Sequence, residues 1–143
     1  DTAIPDPAEI NGLISERTKA IVLVTPNNPT GATYSPECIE EFYQLAKANN
    51  VALIVDETYR DFIDLDKPPH HLFQHMDWAD TFIHLYSFSK VFALTGERVG
   101  AIVCSQSLRK QFGENSGLRC DLRSSQRTTC SDLWDKALSG LET

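Results

Sequence analysis

Two runs of five apolar residues, with a helical pattern between them, set the strongest limit on how this chain can fold. The runs are Ala20–Val24 and Val51–Val55, and both have the length and the β-branched content of buried strands. Between them, Ser35 and Pro36 have the form of a helix start. Apolar residues then recur at the helical period, at Ile39, Phe42, Tyr43 and Ala46. A strand, a helix and a strand in this order predict a right-handed parallel βαβ unit, and therefore an α/β protein.

The remaining elements extend this unit. Asp6–Glu9 has a capping residue followed by proline and predicts an earlier helix that continues through Leu13 and Ile14. A third strand is predicted at Thr81–Tyr86, a fourth at Val99–Cys104, and a short helix at Ser107–Phe112. The loop between the last two strands is too short for a crossover helix, which needs about a dozen residues or more. We therefore predict that the first three strands are parallel and that the fourth is antiparallel.

The net charge argues against two classes of partner. Lys and Arg total 13 against 20 Asp and Glu, and the formal charge is −7 at pH 7. Surfaces that bind nucleic acid or anionic membranes usually have the opposite balance, and no apolar run has the length that spans a bilayer. We expect neither a nucleic acid nor a membrane as partner. The four cysteines form no CxxC pair, which favours a reducing compartment, and we expect a cytoplasmic protein.

Polar motifs follow the three predicted parallel strands at the points where each strand ends. Asn27–Gly31 comes after the first strand, Asp56–Tyr59 after the second and Ser87–Lys90 after the third. Ligands of open α/β sheets bind beyond the carboxyl ends of the strands. We therefore expect these motifs to contribute to one shared site.

Two residues of these motifs each have a structural and a chemical interpretation. A lysine in a loop is usually a solvated surface residue. Lys90, however, has aromatic and apolar neighbours in the sequence, which predict a desolvated amine. Such an amine loses its proton more easily and can attack a carbonyl. Asp56 can cap the turn after its strand, or it can hold a cationic ligand nitrogen. Tyr59, three residues further on, and Arg98, whose planar guanidinium suits a phosphate, would complete such a site.

Taken in order, these motifs resemble those of the class I and II aminotransferases, which are pyridoxal-phosphate enzymes of fold type I. The residues that carry the resemblance are Asn-Pro-x-Gly at Asn28–Gly31, Asp-x-x-Tyr at Asp56–Tyr59, Ser-x-x-Lys at Ser87–Lys90, and Arg98. The likeness covers about residues 20–112. Each motif alone is weak evidence, but four in this order and spacing are specific. The implied fold is a fragment of the fold type I large domain: a mostly parallel sheet with flanking helices and an antiparallel last strand.

The resemblance implies catalytic roles for three residues. Lys90 resembles the lysine that forms a Schiff base with the aldehyde of pyridoxal 5′-phosphate and, once freed, moves a proton as general base and acid. Asp56 resembles the carboxylate that pairs with the pyridine nitrogen and keeps it protonated. Tyr59 resembles the phenol that hydrogen-bonds the 3′ oxygen of the ring.

The resemblance also implies cofactor-binding roles for three more residues. Asn28 shares the 3′ oxygen with Tyr59, and Ser87 and Arg98 anchor the phosphate. It further implies a cis peptide bond at Asn28–Pro29, which aims the asparagine at the ring. We expect the six side chains, Asn28, Asp56, Tyr59, Ser87, Lys90 and Arg98, to meet in one cleft.

The function that the resemblance implies is amino-group transfer between an amino acid and a 2-oxo acid by a homodimeric enzyme of amino acid metabolism, with a biosynthetic role. Two alternatives stay open. The same residues serve other fold type I reactions, such as C–S lyase or decarboxylase chemistry. Because known relatives are longer, the chain can also be a catalytically inert fragment. We expect residues 1–112 to form a partial cofactor-binding domain and residues 113–143 a divergent tail.

Two further features receive structural interpretations. His70, His71 and His75 include an HxxxH spacing, but they lie in a proline-containing loop without a cysteine or carboxylate at fixed register. We therefore predict no metal site. Glu57, next to Asp56, is expected to face the other way, and we assign it no role.

Overall fold

The structure is a computed structural model that describes residues 4–63 and 68–111, with side chains as far as residue 109. The helices are α1 (Pro7–Asn11), α2 (Pro36–Ala48), α3 (Trp78–Thr81), α4 (Phe88–Val91) and α5 (Gln106–Gln111). The strands are β1 (Ala20–Val24), β2 (Ala52–Asp56), β3 (Phe82–Ser87) and β4 (Gly100–Val103). Two short 3₁₀ helices, Arg60–Phe62 and Leu72–Gln74, lie between β2 and α3.

The four strands form one sheet in the order β1-β2-β3-β4. β1 pairs parallel to β2 and β2 parallel to β3, whereas β3 pairs antiparallel to β4. The predicted α/β class and the reversal of the last strand are therefore confirmed. β2 and β3 each begin and end one residue later than predicted, so Asp56 and Ser87 are themselves the last residues of their strands.

Helix α2 supplies one side of the core, as its sequence predicts. The Ser35 hydroxyl accepts a hydrogen bond from the Cys38 amide (3.2 Å) at the start of the helix, and Asn49 caps its end. Its apolar face is fully buried and packs in one cluster with residues of the sheet such as Leu53 and Phe82. At 13 residues α2 is the longest helix in the part of the chain described, and neither it nor any other helix there could cross a bilayer.

The shorter elements depart from the predictions. Asp6 caps α1 by accepting from the Ala8 amide (2.8 Å), but α1 ends at Asn11 because Gly12 caps it there. Leu13 is consequently outside the helix and 74% exposed. α3, which ends at Thr81, and α4 occupy stretches in which no helix was predicted. α5 begins one residue before the predicted Ser107, and its predicted end at Phe112 and the predicted tail from 113 to 143 lie outside the described residues.

The two faces of the sheet differ in their cover. On the face that packs against α2, which we call the helix face, Val55, His84 and Tyr86 are buried. The opposite face, which we call the open face, includes Val22, Ile54, Asp56, Leu85 and Ser87, and there Val22 is 60% exposed. Because side chains alternate along a strand, Asp56 and Glu57 are directed to different faces, as predicted.

We expect the substitution Gly100→Ala to lower the free energy of unfolding by about 1–3 kcal/mol, the usual cost of an added carbon that forces the backbone to shift. Gly100 pairs with Ser87, and a Cβ at this position would lie 2.8 Å from the Tyr86 carbonyl oxygen. Chemical denaturation measures the change. Gly96→Ala is the matched control, since a Cβ there meets nothing within 4 Å. Equal stabilities of the two variants would contradict the expectation.

Candidate active site

Asp56 closes β2 at the carboxyl edge of the parallel strands, where it pairs with Val24 of β1 and Leu85 of β3. Its Oδ1 accepts hydrogen bonds from the Thr58 amide (2.9 Å) and the Thr58 hydroxyl (2.6 Å). Among the described residues Oδ2 has no hydrogen-bond partner. One oxygen of this half-buried carboxylate therefore stabilises the turn, and the other is available to a ligand.

Tyr59 and Lys90 approach each other beyond this edge. Tyr59 precedes the 3₁₀ helix Arg60–Phe62, and Lys90 is the third residue of α4, directly after β3. The Lys90 Nζ lies 6.0 Å from the centroid of the Tyr59 ring, at the limit of a cation–π contact. The expectation of a desolvated lysine is wrong: its neighbour Phe88 is buried, but Lys90 itself is exposed.

Ser87 lies at the end of β3, and Arg98 lies in the turn that precedes β4, the neighbouring strand. Ser87 ends β3, and its hydroxyl accepts from the Ser89 amide (3.3 Å) at the start of α4. Arg98 comes two residues before Gly100, the pairing partner of Ser87. Arg98 is exposed and has a φ of 56°, and its guanidinium donates to the Thr95 carbonyl oxygen (3.2 Å). Among the described residues no hydrogen bond or ion pair joins Arg98 to the other predicted site residues.

Asn28 lies in the loop after β1. The Asn28–Pro29 bond is cis, as predicted, and the Thr25–Pro26 bond is also cis, which was not predicted. Asn28 is exposed, and within residues 4–63 and 68–111 no hydrogen bond joins it to the other five site residues.

The loop that carries Asn28 is organised by its neighbour Asn27, which sequence reasoning missed. The Asn27 Oδ1 accepts from the Thr30 hydroxyl (2.8 Å), and its carbonyl oxygen accepts from the Gly31 amide (2.7 Å). Gly31 has a φ of 71°, which favours glycine. The asparagines, proline and glycine of Asn27–Gly31 indicate a turn, but they do not show that the Asn27 side chain organises it.

Glu57 is the centre of a buried polar cluster on the helix face, and this role was also missed. The side chain is fully buried. Its Oε2 accepts from the His84 Nε2 (2.8 Å) and the Arg60 Nη1 (3.0 Å), and its Oε1 lies 3.5 Å from the His70 Nε2. Because the His70 Nδ1 accepts from the Leu72 amide (3.2 Å), the proton of neutral His70 lies on the nitrogen that faces Glu57. The alternation of Val55, Asp56 and Glu57 predicted the face of Glu57 but not its partners.

Burial and charge act in opposite directions within this cluster. Burial by itself raises the pKa of Glu57, but the hydrogen bond with His84 and the electrostatic interactions with His84, His70 and Arg60 outweigh it, so the pKa is held below its ordinary value. Burial lowers the pKa of His70 from 6.5 to about 4, although Glu57 opposes the change. The cluster therefore contains an ionised carboxylate beside a neutral His70 at pH 7.

The other two histidines of the predicted loop have separate partners. His71 contacts the Gln74 side chain (3.2 Å), and the His75 Nε2 lies 3.0 Å from the Glu40 Oε2. In the part of the chain that the structure describes, no three His, Cys, Asp or Glu side chains form a group that could hold a metal ion.

The residues at the carboxyl edge fit the chemistry of pyridoxal phosphate. The exposed Lys90 amine suits its aldehyde, and the Asp56 Oδ2, which has no hydrogen-bond partner among the described residues, suits its ring nitrogen. The mostly parallel sheet, with a lysine just beyond the end of its third strand, is that of the fold type I transferases. The family profile described as aminotransferase class I and II matches residues 4–129, and the chain belongs to this family.

Individual relatives agree with this assignment. The aspartate aminotransferase of Sulfurisphaera tokodaii is 37% identical over 107 residues, which are 75% of this chain and 27% of that protein. The alanine aminotransferase of Mycobacterium tuberculosis is 33% identical over 138 residues, 95% of this chain and 32% of the relative. The structure of the Thermus thermophilus aspartate aminotransferase with maleate superposes with a TM-score of 0.62 at 32% identity, over 73% of this chain and 26% of that one. The chain thus spans about a quarter to a third of the length of these relatives.

Proposed function

We propose that this chain carries the cofactor-binding edge of a pyridoxal-phosphate-dependent aminotransferase, which moves an amino group between an amino acid and a 2-oxo acid. The observation that carries the proposal is the approach of Lys90 to the Tyr59 ring beyond the strand end formed by Asp56. Family membership supports it, because relatives with this sheet are aminotransferases.

Three residues have chemical roles in this proposal. The Lys90 amine would hold the cofactor through its aldehyde, with release of water, and when free would take up and return a proton. The Oδ2 of Asp56 would accept a hydrogen bond from the protonated ring nitrogen, while its Oδ1 remains hydrogen-bonded to Thr58. The hydroxyl of Tyr59 donates to the ring oxygen. When bound, pyridoxal phosphate supplies the electron sink that amino-group chemistry requires.

Three residues position the cofactor. Asn28 donates from its side-chain amide to the same ring oxygen as Tyr59. The Ser87 hydroxyl and the Arg98 guanidinium would hold the phosphate, and Arg98 would give up its hydrogen bond to the Thr95 carbonyl oxygen for this charged partner.

Several finer assignments complete the proposal. Residues 1–112 form the partial cofactor-binding domain, and residues 113–143 the divergent tail. A homodimeric assembly and a biosynthetic role in amino acid metabolism follow from the family resemblance. The cysteine pattern supports a cytoplasmic location. Two relatives are named for aspartate and alanine, so these amino acids are the first substrates to test.

The first test is covalent capture. We expect pyridoxal phosphate, added to the folded chain and reduced with borohydride, to label Lys90 in preference to the other lysines, because the proposed edge orients the aldehyde toward this amine. Peptide mapping by mass spectrometry identifies the labelled residue. A folded chain that gives no adduct at Lys90 would overturn the proposal.

The second test separates the reaction types. The chain is incubated with pyridoxal phosphate, without borohydride, and is given aspartate or alanine together with a 2-oxo acid. The newly formed amino acid is then measured. Release of carbon dioxide or of a sulfur compound, without amino transfer, would indicate decarboxylase or C–S lyase chemistry instead. Capture without any of these products would indicate a chain that binds the cofactor and is catalytically inert.

A further inference from the structure

Two carboxylates behind the site join the turn after β2 to strand β3. The His84 Nε2 donates to Glu57 (2.8 Å), and the Tyr86 hydroxyl donates to the Asp61 Oδ2 (2.6 Å). The Glu57 amide also donates to the Leu85 carbonyl oxygen (2.9 Å). We call these three hydrogen bonds the tether. They link residues 25 to 28 positions apart in the chain, so they are tertiary contacts rather than part of the local turn.

The tether connects the two segments that carry the site. Its carboxylates lie on either side of Tyr59 in the turn 57–62, and its partners are consecutive residues of β3. Three residues after the end of β3 comes Lys90. The distance of 6.0 Å between the Lys90 Nζ and the Tyr59 ring is therefore a distance between two segments that the tether holds together.

Burial gives the tether a defined geometry. Glu57 is fully buried and His84 is 4% exposed, so water competes little for the hydrogen bond between them. Tyr86 is 4% exposed, whereas its partner Asp61 lies at the surface. If the buried Glu57 carboxylate left His84 and Arg60, it would lose a hydrogen bond and the Arg60 guanidinium charge, which is costly. Burial and the hydrogen bond to Asp61 also raise the pKa of Tyr86, so the phenol keeps the proton that it donates.

We propose that Glu57 and Asp61 are positioning residues, which hold the turn 57–62 against β3 so that Tyr59 stays beside Lys90. The inference deepens the proposed function and rests on it for its catalytic meaning. Neither carboxylate touches the proposed cofactor; both act through Tyr59 and the strand that leads to Lys90.

The test measures the placement of Tyr59 without any cofactor. Reductive methylation with ¹³C-formaldehyde labels the Lys90 amine and keeps its charge, and the nearby Tyr59 ring shifts the methyl resonance. The variant Tyr59→Leu gives the resonance without the ring. We expect Glu57→Gln, which keeps the shape and removes the charge, to move the Lys90 resonance most of the way to the Tyr59→Leu position.

Glu40→Gln is the matched control. Glu40 also pairs with a histidine, His75, at 3.0 Å, but this pair joins α2 to the loop before α3 and is not part of the tether. We expect the Lys90 resonance of this variant to be unchanged. An unchanged resonance in a folded Glu57→Gln variant would overturn the proposal, and so would an equal change in Glu40→Gln.

A second variant keeps the test decisive if Glu57→Gln does not fold. Asp61 is exposed, so Asp61→Asn weakens the hydrogen bond from Tyr86 at the surface, and we expect a partial change in the same direction. No change in Asp61→Asn would then overturn the proposal.

Cofactor capture provides the functional readout. We expect the rate at which borohydride traps pyridoxal phosphate on Lys90 to fall about tenfold in Glu57→Gln, the effect of losing one charged hydrogen bond. If the wild-type chain gives no capture, the proposed function fails while the resonance shifts still decide the positioning role. If the wild-type chain gives capture but Glu57→Gln changes neither readout, only the positioning role fails.

Discussion

Lowering the pH from 7 to 4 is expected to reduce the free energy of unfolding by about 3 kcal/mol through His70 alone. Burial holds the pKa of His70 at about 4 in the folded chain, against 6.5 for the unfolded residue. Between these values the unfolded chain binds a proton that the folded chain does not bind. Stability is therefore lost as the pH falls from 6.5 toward 4, and the loss levels off below the folded pKa. Urea denaturation at a series of pH values measures the slope.

Glu57 extends the loss to lower pH. Its pKa in the folded chain is held below the ordinary value of 4.5. The stability that it contributes is present above 4.5 and is lost as the pH falls through the folded pKa. The two groups act in the same direction but in successive pH ranges, so the expected curve begins to fall near pH 6.5 and continues to fall below pH 4.5.

Two variants distinguish the effect of His70 titration on stability from the effects of other titratable groups. His70→Asn removes the titration and can keep an acceptor for the Leu72 amide, so we expect a flatter curve between pH 6.5 and 4.5. His71→Gln changes the exposed neighbour and is expected to keep the wild-type curve. A His70→Asn variant with the wild-type slope would show that another group causes the acid sensitivity.

The elements that the sequence predicts well are those whose signal is local. The run Ala20–Val24 is β1 without any change of bounds, and the capped, periodic segment after Ser35 is α2. The positions of Asp56 and Ser87 at strand ends follow from the same signal, since the apolar runs stop there. The reversal of β4 followed from the length of one loop. These predictions needed only spacing along the chain.

The features that the sequence did not predict depend on contacts between distant residues. Glu57 and His84 are 27 positions apart, and only the parallel pairing of β2 with β3 places them side by side. Phe88 is buried and Lys90, two residues later, is exposed. The apolar residues around Lys90 in the sequence do not show which side chains of the segment point into the protein. α3 and α4 have four residues each and are too short to show a helical period.

Replacing Lys90 by arginine is expected to abolish the covalent capture of pyridoxal phosphate. Only a deprotonated amine attacks an aldehyde, and a guanidinium stays protonated in proteins. The fold is expected to tolerate the change, because Lys90 is exposed and makes no hydrogen bond or ion pair with the described residues. Surface substitutions of this kind usually change the free energy of unfolding by less than about 0.5 kcal/mol. Arginine also keeps the positive charge beside the Tyr59 ring.

The measurement is the yield of the borohydride-stable adduct, located by peptide mapping, in Lys90→Arg and in Lys19→Arg. Lys19 is also exposed, but it precedes β1 and so lies at the end of the sheet away from the carboxyl edge. The control variant is expected to give the wild-type yield, so that a loss confined to Lys90→Arg reflects the position of the amine and not the number of lysines. A wild-type yield in Lys90→Arg would place the reactive amine elsewhere. The roles proposed for Tyr59 and Asp56 would then fail as well, because both are inferred from their position relative to Lys90.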